Sequence, residues 1–364
     1  VEFPEDGYHG EDIIEHVKAY IEQHGDALLS KTPEERRQAL VDYALPINIQ
    51  RIRDALSEYG IEYDVWFSEK SLHDSGAVKE TVDFLRENGY TVERDGAVWL
   101  NGEKLGLEKD EVLIRNNGIP TYMAADIAYH RNKFITRGFD WAINLWGADH
   151  HGHVARMKAA MKPFGIDSDR LEVVLFQLVR LFRNGEIARM SKRSGKAISL
   201  GDLLEEVGRD AARFFFNMKT AGSHLDFDLD LAVKQSNENP VFYVQYAHAR
   251  ICSIIRKLAE EGISLDTAKD VDLTLLCKEE EIELMRKLAE YPEEITMAAK
   301  TLEPSRITRY VMEVASCFHT FYNSCRVKGE EENLMMARLM LADCTRIVIR
   351  NVLELLSISA PEKM

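Results

Sequence analysis

The sequence predicts an α/β domain over residues 1–235, carrying a helical and hairpin insertion before Ile119, and an all-α bundle over residues 236–364. Three observations predict it. Apolar runs of strand length alternate with runs of helical spacing as far as Ser236. Asp95-Gly96 and Asn184-Gly185 each sit between short apolar runs, as two-residue hairpin turns require. Past Asn237-Glu238-Asn239-Pro240 the apolar residues recur at helical spacing alone.

The elements follow in order. Ile13, Ile14, Val17 and Ile21 mark a helix over Asp12 to Gln23. Thr32-Pro33-Glu34-Glu35 starts the next, with threonine as cap and proline in the first turn. Pro46 is expected to break it, and a further helix to run through Ile52 and Leu56 to Gly60. Tyr63-Asp64-Val65-Trp66-Phe67 reads as a strand and Val78 to Asn88 as a helix. Tyr90 to Glu93 and Ala97 to Leu100 form a hairpin, Glu111 to Ile114 a third short strand, and Gly118 to Asp126 opens a helix. Trp141 to Trp146 is nearly apolar, which predicts a buried parallel strand. Val179 to Arg183 pairs with Glu186 to Ala188, and Ser199 caps a helix through Leu203 and Leu204. Five more helices cover Phe242 to Glu260, Glu279 to Glu290, Glu293 to Thr301, Pro304 to Arg326 and Asn333 to Leu356.

Composition narrows the function classes. The 364 residues suffice for two cores. Acids exceed bases by 61 to 46, and a net charge of −15 argues against a general nucleic-acid coat while leaving room for a local basic groove. Five cysteines contain no CxxC pair, which fits reduced thiols in a cytoplasmic protein. No apolar run has membrane-spanning length, so no membrane partner is expected.

Three stretches carry chemistry. Arg189-Met190-Ser191-Lys192-Arg193-Ser194-Gly195-Lys196 sets four cations among serines and a glycine, between a hairpin and a helix. Such a loop can close on phosphates, Lys192 supplying a point charge; a solvated basic turn is the plainer alternative. Tyr122 and Asp126 lie four apart, on one helix face, where a carboxylate beside a phenol can receive a guanidinium; an ordinary solvated aspartate beside a core tyrosine is the alternative. Gly147-Ala148-Asp149-His150-His151-Gly152-His153 follows a buried strand, the place where open α/β sheets bind ligands. Its histidines invite a zinc hypothesis, but with Asp149 they crowd one turn and suit a tetrahedron poorly, so no metal ligands are assigned.

Met190-Ser191-Lys192 resembles the KMSKS signature of class I aminoacyl-tRNA synthetases. With Pro120-Thr121-Tyr122-Met123-Ala124-Ala125-Asp126-Ile127-Ala128-Tyr129-His130, Gly147-Ala148-Asp149-His150-His151-Gly152 and Asn239-Pro240-Val241-Phe242-Tyr243-Val244-Gln245-Tyr246-Ala247-His248-Ala249-Arg250, the whole chain resembles the arginyl-tRNA synthetase family. The resemblance implies an incomplete Rossmann-like nucleotide-binding domain followed by an α-helical anticodon-binding domain. It implies activation of L-arginine with ATP and Mg2+, then transfer to tRNA(Arg), by a cytoplasmic monomer. It assigns the arginine pocket to Glu69, Tyr122, Asp126 and His150. It assigns ATP to His150, His153, Arg189, Met190, Ser191 and Lys192, with Lys192 catalytic at the departing pyrophosphate. It assigns tRNA contacts to Asn239, Tyr246 and Arg250.

The same resemblance implies a departure. The family's N-terminal domain and its HIGH signature have no counterpart among these residues; His151-Gly152-His153 stands too late in the fold to be it. The chain is therefore expected to be a fragment, an expressed piece or a truncated gene product, with impaired catalysis. The alternatives are a non-catalytic tRNA-binding module and, from the histidine turn alone, a metal hydrolase.

Overall fold

The computed structural model describes residues 11–188, 198–264 and 271–364. The chain divides into two compact units, Val1–Tyr63 with Ile198–Glu205, and Asp64–Ala197 with Glu206–Met364.

In the first unit, amphipathic spacing gives α1 (Glu11–His24). The Thr32 hydroxyl accepts from Glu35 N at 3.3 Å while the Glu35 carboxylate accepts from Thr32 N at 2.9 Å. This reciprocal cap starts α2 (Pro33–Tyr59), and Gly60, at φ 86°, ends it. The expected break at Pro46 does not occur: α2 is continuous through it. No residue of α2 is buried, so the carbonyl that loses its partner at Pro46 can be met by water. His16 Nε2 and Asn48 Oδ1, 2.8 Å apart, join the two helices.

The second unit begins without the expected strand. Tyr63 to Phe67 belongs to none of the described strands, and Tyr63 and Val65 are exposed. A strand needs a neighbouring backbone, and none of the eight described strands offers one here. Next come α3 (Glu69–Asp74) and α4 (Ala77–Glu87), the latter burying Val78, Val82 and Leu85. β1 (Thr91–Arg94) and β2 (Ala97–Leu100) pair antiparallel as predicted. Their turn takes Asp95 and Gly96 to φ 52° and 73°, the left-handed pair that such a turn demands. A short helix the sequence reading missed, α5 (Gly102–Leu105), precedes β3 (Glu111–Ile114), which completes this sheet.

Thr121 then leads into α6 (Tyr122–Arg131), extended by a wider π turn over Asn132–Thr136. β4 (Ala142–Gly147), a short turn and α7 (His151–Met161) lead to β5 (Leu171–Phe176), which runs parallel to β4 in unbroken register from Ala142↔Leu171 to Gly147↔Phe176. Leu85, Leu100, Leu113, Ile127, Met157 and Leu171 meet in one core beneath these elements. β4 is not buried on both sides as its apolar run predicted. Ala142 and Asn144 face inward, whereas Ile143 and Leu145 are exposed. The sheet has two described strands, and that face has no covering layer among the described residues.

β6 (Val179–Arg183) and β7 (Glu186–Ile187) form the second hairpin, turning on Asn184 and Gly185 at φ 51° and 77°. Ser199 and Asp202 bond each other's backbone N–H at 3.1 and 3.0 Å and so start α8 (Leu200–Val207). α9 (Arg209–Phe216), β8 (Leu225–Asp228) and α10 (Leu229–Ala232) follow, with β8 parallel to β6.

From Pro240 every described α-helix or strand is helical: α11 (Pro240–Glu260), α12 (Glu279–Ala289), α13 (Tyr291–Thr301), α14 (Ser305–Ser324) and α15 (Glu332–Leu355). Val244, Ala247, Val311, Phe318, Ala342 and Ile349 build the bundle core. Inside it Arg338, 2 % exposed, donates to Glu281 at 2.6 Å and to the Arg326 carbonyl at 2.6 Å. The segment after α15 folds back onto α9: Arg213 donates to the Leu356 carbonyl, Arg209 to that of Ser357 at 3.0 Å, and Ser359 N and hydroxyl to Asp210. Gln245 of α11 donates to both Asp210 and the Ser359 carbonyl at 2.9 Å. No described helix is long and apolar enough to cross a membrane.

Candidate functional site

The first turn of α6 and the turn at the carboxyl end of β4 meet. Helical spacing puts Tyr122 and Asp126 on one side of α6, and β4 delivers Trp146, His150 and His153 opposite them. His153 Nε2 lies 3.0 Å from Asp126 Oδ2. The Tyr122 and Trp146 rings stand 5.8 and 5.3 Å from the His153 ring. Asp126 is half-buried and His153 is 8 % exposed, yet Tyr122 is 66 % exposed, which rules out the core-tyrosine alternative. The result is a carboxylate with an aromatic wall, open to solvent on the tyrosine side. It can take a flat cation: one plane for stacking, one carboxylate for a fork of N–H donors.

His150 is exposed and stands at the rim, 3.8 Å from Asp149. His151 is exposed too, so the three histidines do not share one environment. Among the described residues no group of three or more His, Cys, Asp or Glu could hold a metal ion. Glu69 opens α3 and is exposed; its recorded ion partner is His73 at 3.8 Å, and no hydrogen bond or ion pair joins it to Tyr122 or Asp126. Arg189, Met190, Ser191 and Lys192 lie outside the described residues. The hairpin and the capped helix on either side of them are as expected.

The sequence reading missed the layer behind Asp126. His130, Lys133 and Asn144 form a buried hydrogen-bonded chain against its main chain. One signal was legible: Asn144 is the one polar residue within the apolar run of β4, at an inward position.

The second site is in the bundle. Arg250 donates to the Tyr246 hydroxyl at 2.8 Å, and its guanidinium stacks on the Tyr246 and Tyr322 rings, 4.6 and 4.8 Å from their centroids. These residues line a cleft of about 830 Å3 with Arg256, Lys257, Arg326, Lys328 and Lys363, against one acidic side chain, Glu362. In a chain of net charge −15 this is a local basic groove, and cations interleaved with aromatic faces suit a polyanion carrying bases. Asn239 is elsewhere: it is buried, accepts from Val241 N at 3.2 Å to cap α11, and donates to the Ala232 and Lys234 carbonyls at 3.0 and 2.9 Å. Its amide is spent on this junction, so it shapes the entry to the bundle and does not face a ligand. Elsewhere in the bundle Arg306 pairs with Glu294 at 3.1 Å and Arg346 with Asp343 at 2.7 Å.

Comparison with known proteins agrees in two parts. Residues 11–226 match the family model for tRNA synthetases class I (R), catalytic domain, and residues 244–364 match the DALR anticodon binding domain. An arginine–tRNA ligase of Acetivibrio thermocellus is 71 % identical over 364 residues, covering all of this chain and 64 % of the relative. A solved structure described as an arginyl-tRNA synthetase from Campylobacter jejuni is 35 % identical, with a TM-score of 0.89, over 100 % of this chain and 78 % of that one. The Thermus thermophilus arginyl-tRNA synthetase, at 22 % identity and a TM-score of 0.76 over 99 % of this chain and 72 % of that one, shares the fold. The chain spans about 64 % of the length of the curated relatives it matches.

Proposed function

The chain belongs to the class I tRNA synthetases of the arginine type, a Rossmann-like α/β catalytic domain followed by a helical DALR domain, and from that premise we propose that it is the arginine- and tRNA-handling part of an arginine–tRNA ligase. The boundary between the two domains is put near residue 235, a reading supported by the stop of strand and helix alternation and by its position between the two matched segments. The observation that carries the reading is the Asp126 carboxylate set between His153 and the exposed Tyr122 at a strand-end turn. A guanidinium placed there gives Asp126 a bidentate partner and the tyrosine ring a flat cation. Glu69, one helix away, holds the polar end of the same amino acid.

The activation step joins the arginine carboxylate to the α-phosphate of ATP and releases pyrophosphate. His150 and His153 would border the nucleotide, Arg189, Met190 and Ser191 would hold its phosphates, whose charge Mg2+ would offset, and Lys192 would stabilise charge on the leaving pyrophosphate. The arginyl group then passes to tRNA(Arg), which the helical domain holds through Tyr246 and Arg250. Asn239, buried at the start of α11, caps that helix and orders the entry to the helical domain. The protein works as a cytoplasmic monomer.

The test is exchange of labelled pyrophosphate into ATP, with arginine and tRNA present, on this 364-residue chain, on a chain extended to the length of its relatives, and on the extended chain carrying Lys192→Ala. Exchange is expected from the extended chain alone. No residue of the 364 forms a HIGH signature, and losing one preorganised donor costs roughly 3–4 kcal/mol of transition-state stabilisation. Robust exchange by the 364-residue chain, or unchanged exchange after Lys192→Ala, contradicts these roles. The basic cleft favours one further outcome: the 364-residue chain binds tRNA without activating arginine.

A further inference from the structure

Asp126 is held from behind as well as in front. Asn144, 6 % exposed on the inner face of β4, has its Nδ2 2.6 Å from His130 Nε2, and its Oδ1 accepts from Lys133 Nζ at 2.9 Å. His130 Nδ1 lies 2.7 Å from the main-chain oxygen of Asp126. This chain of contacts runs one way only. An ammonium has no lone pair, so Lys133 must donate and Asn144 must turn its oxygen toward it. The amide NH2 then faces His130 Nε2, which must accept. The imidazole proton therefore sits on Nδ1 and points at the Asp126 carbonyl. Burial favours the neutral imidazole as well, since it pushes the His130 pKa down to about 4. The ammonium also rests on the Tyr129 ring, 4.4 Å from its centroid, which fixes the origin of the chain.

We propose that Lys133, Asn144 and His130 are a positioning unit that fixes the main chain of Asp126 to β4 and thereby sets the selection of a guanidinium over an ammonium at its carboxylate. The proposal rests on the arginine reading above. β4 leads through a short turn into α7, whose first turn carries His153, and His153 holds the Asp126 carboxylate. Both ends of Asp126 are thus referenced to the same strand. Bidentate capture of a planar fork needs the carboxylate plane held in place, whereas a compact ammonium, a point charge, tolerates rotation. Loosening the unit therefore costs arginine more than it costs lysine.

Two measurements test it. In the first, 15N spectra of the histidines of the full chain report the tautomer of His130 and need no substrate. The unmodified chain is expected to show a proton on Nδ1 and a bare Nε2 at neutral pH. Asn144→Asp keeps the acceptor for Lys133 but turns an acceptor toward Nε2, so His130 should gain a proton there. A proton on Nε2 in the unmodified chain, or no change in Asn144→Asp, overturns the hydrogen-bond direction and the proposal. In the second, the extended protein is assayed for activation of arginine and of lysine. Asn144→Asp and, separately, Lys133→Met are expected to raise KM for arginine roughly tenfold, to leave kcat within about twofold, and to narrow the arginine-to-lysine ratio. Altered tautomers with unchanged KM and ratio would mean that the unit only stabilises the fold, which overturns the proposal. An unmodified extended protein that activates no arginine overturns the function itself, a failure the first measurement tells apart because it does not involve arginine.

Discussion

His153 Nε2 stands 3.0 Å from Asp126 Oδ2, so the first turn of α7 already holds the carboxylate that the proposed function assigns to arginine. A ligand entering past Tyr122 must share Asp126 with this imidazole. Asp126→Ala in the extended protein is expected to weaken arginine binding by about 1.5–3 kcal/mol, the loss of charge-assisted hydrogen bonds in a site open to solvent on its tyrosine side. Calorimetric titration with arginine measures it, and an affinity unchanged by the substitution would remove Asp126 from the pocket.

Stability should fall on mild acidification. His130 has its pKa lowered from 6.5 to about 4, chiefly by burial. A depressed folded pKa means that the unfolded chain takes up the proton first. The contribution is therefore complete above pH 6.5 and is lost as pH falls toward 4, by a total of about 3 kcal/mol. Burial lowers His248 and His319 as well, and each acts in the same direction. Urea unfolding at neutral pH and near pH 5 should show the loss, and His130→Gln should reduce it. A flat profile in the unmodified chain would contradict the buried neutral state.

The bundle contains a separate liability. Arg338 and Glu281 are buried together at 2.6 Å, their side chains 2 % and 1 % exposed. Glu281→Ala leaves the guanidinium with Glu330, at 3.1 Å on the rim, as its remaining acidic partner. The expected cost is about 3–5 kcal/mol, whereas replacing both residues with apolar side chains of like volume should cost far less. Unfolding midpoints of the single and double variants decide this, and equal losses would speak against charge burial as the cause.

Arg250 should matter to tRNA and not to folding. It is only half-buried and stacks on two tyrosines in a basic cleft. Arg250→Ala is expected to weaken tRNA binding by about 1–3 kcal/mol and, if the guanidinium meets a phosphate, to reduce the salt slope by about one. Binding measured across a salt series reads both quantities. A changed affinity with an unchanged slope would assign Arg250 to base stacking.

Local signals were legible in the sequence wherever the local chain decides. The turns at Asp95-Gly96 and Asn184-Gly185, the caps at Thr32 and Ser199, and the helices after Pro240 follow from backbone and side-chain preferences within a few residues. What failed depended on neighbours. Pro46 does not break α2 because no core packs on that helix to strand a carbonyl. Tyr63 to Phe67 has strand composition but no described strand beside it, and Ile143 and Leu145 are apolar yet exposed. At the site, the spacing of Tyr122 and Asp126 was readable, and the convergence of His153 on Asp126 was not, because it depends on how β4 is placed against α6. The roles of Arg250 and Asn239 show the same division. Both were picked out by the same stretch, and only burial tells which one faces outward.

The clamp of Ser359 and the Leu356 carbonyl on α9 has a consequence for synthesis on the ribosome. Asp210 and Ser359 are 149 residues apart. At usual elongation rates α9 therefore waits roughly 7–30 s between emerging and meeting the segment that satisfies Asp210, Arg209 and Arg213. Through that interval Arg209 and Arg213 lack the Ser357 and Leu356 carbonyls, and Asp210 has Gln245 but not Ser359. A ribosome stalled before Leu356 would leave this junction unsealed.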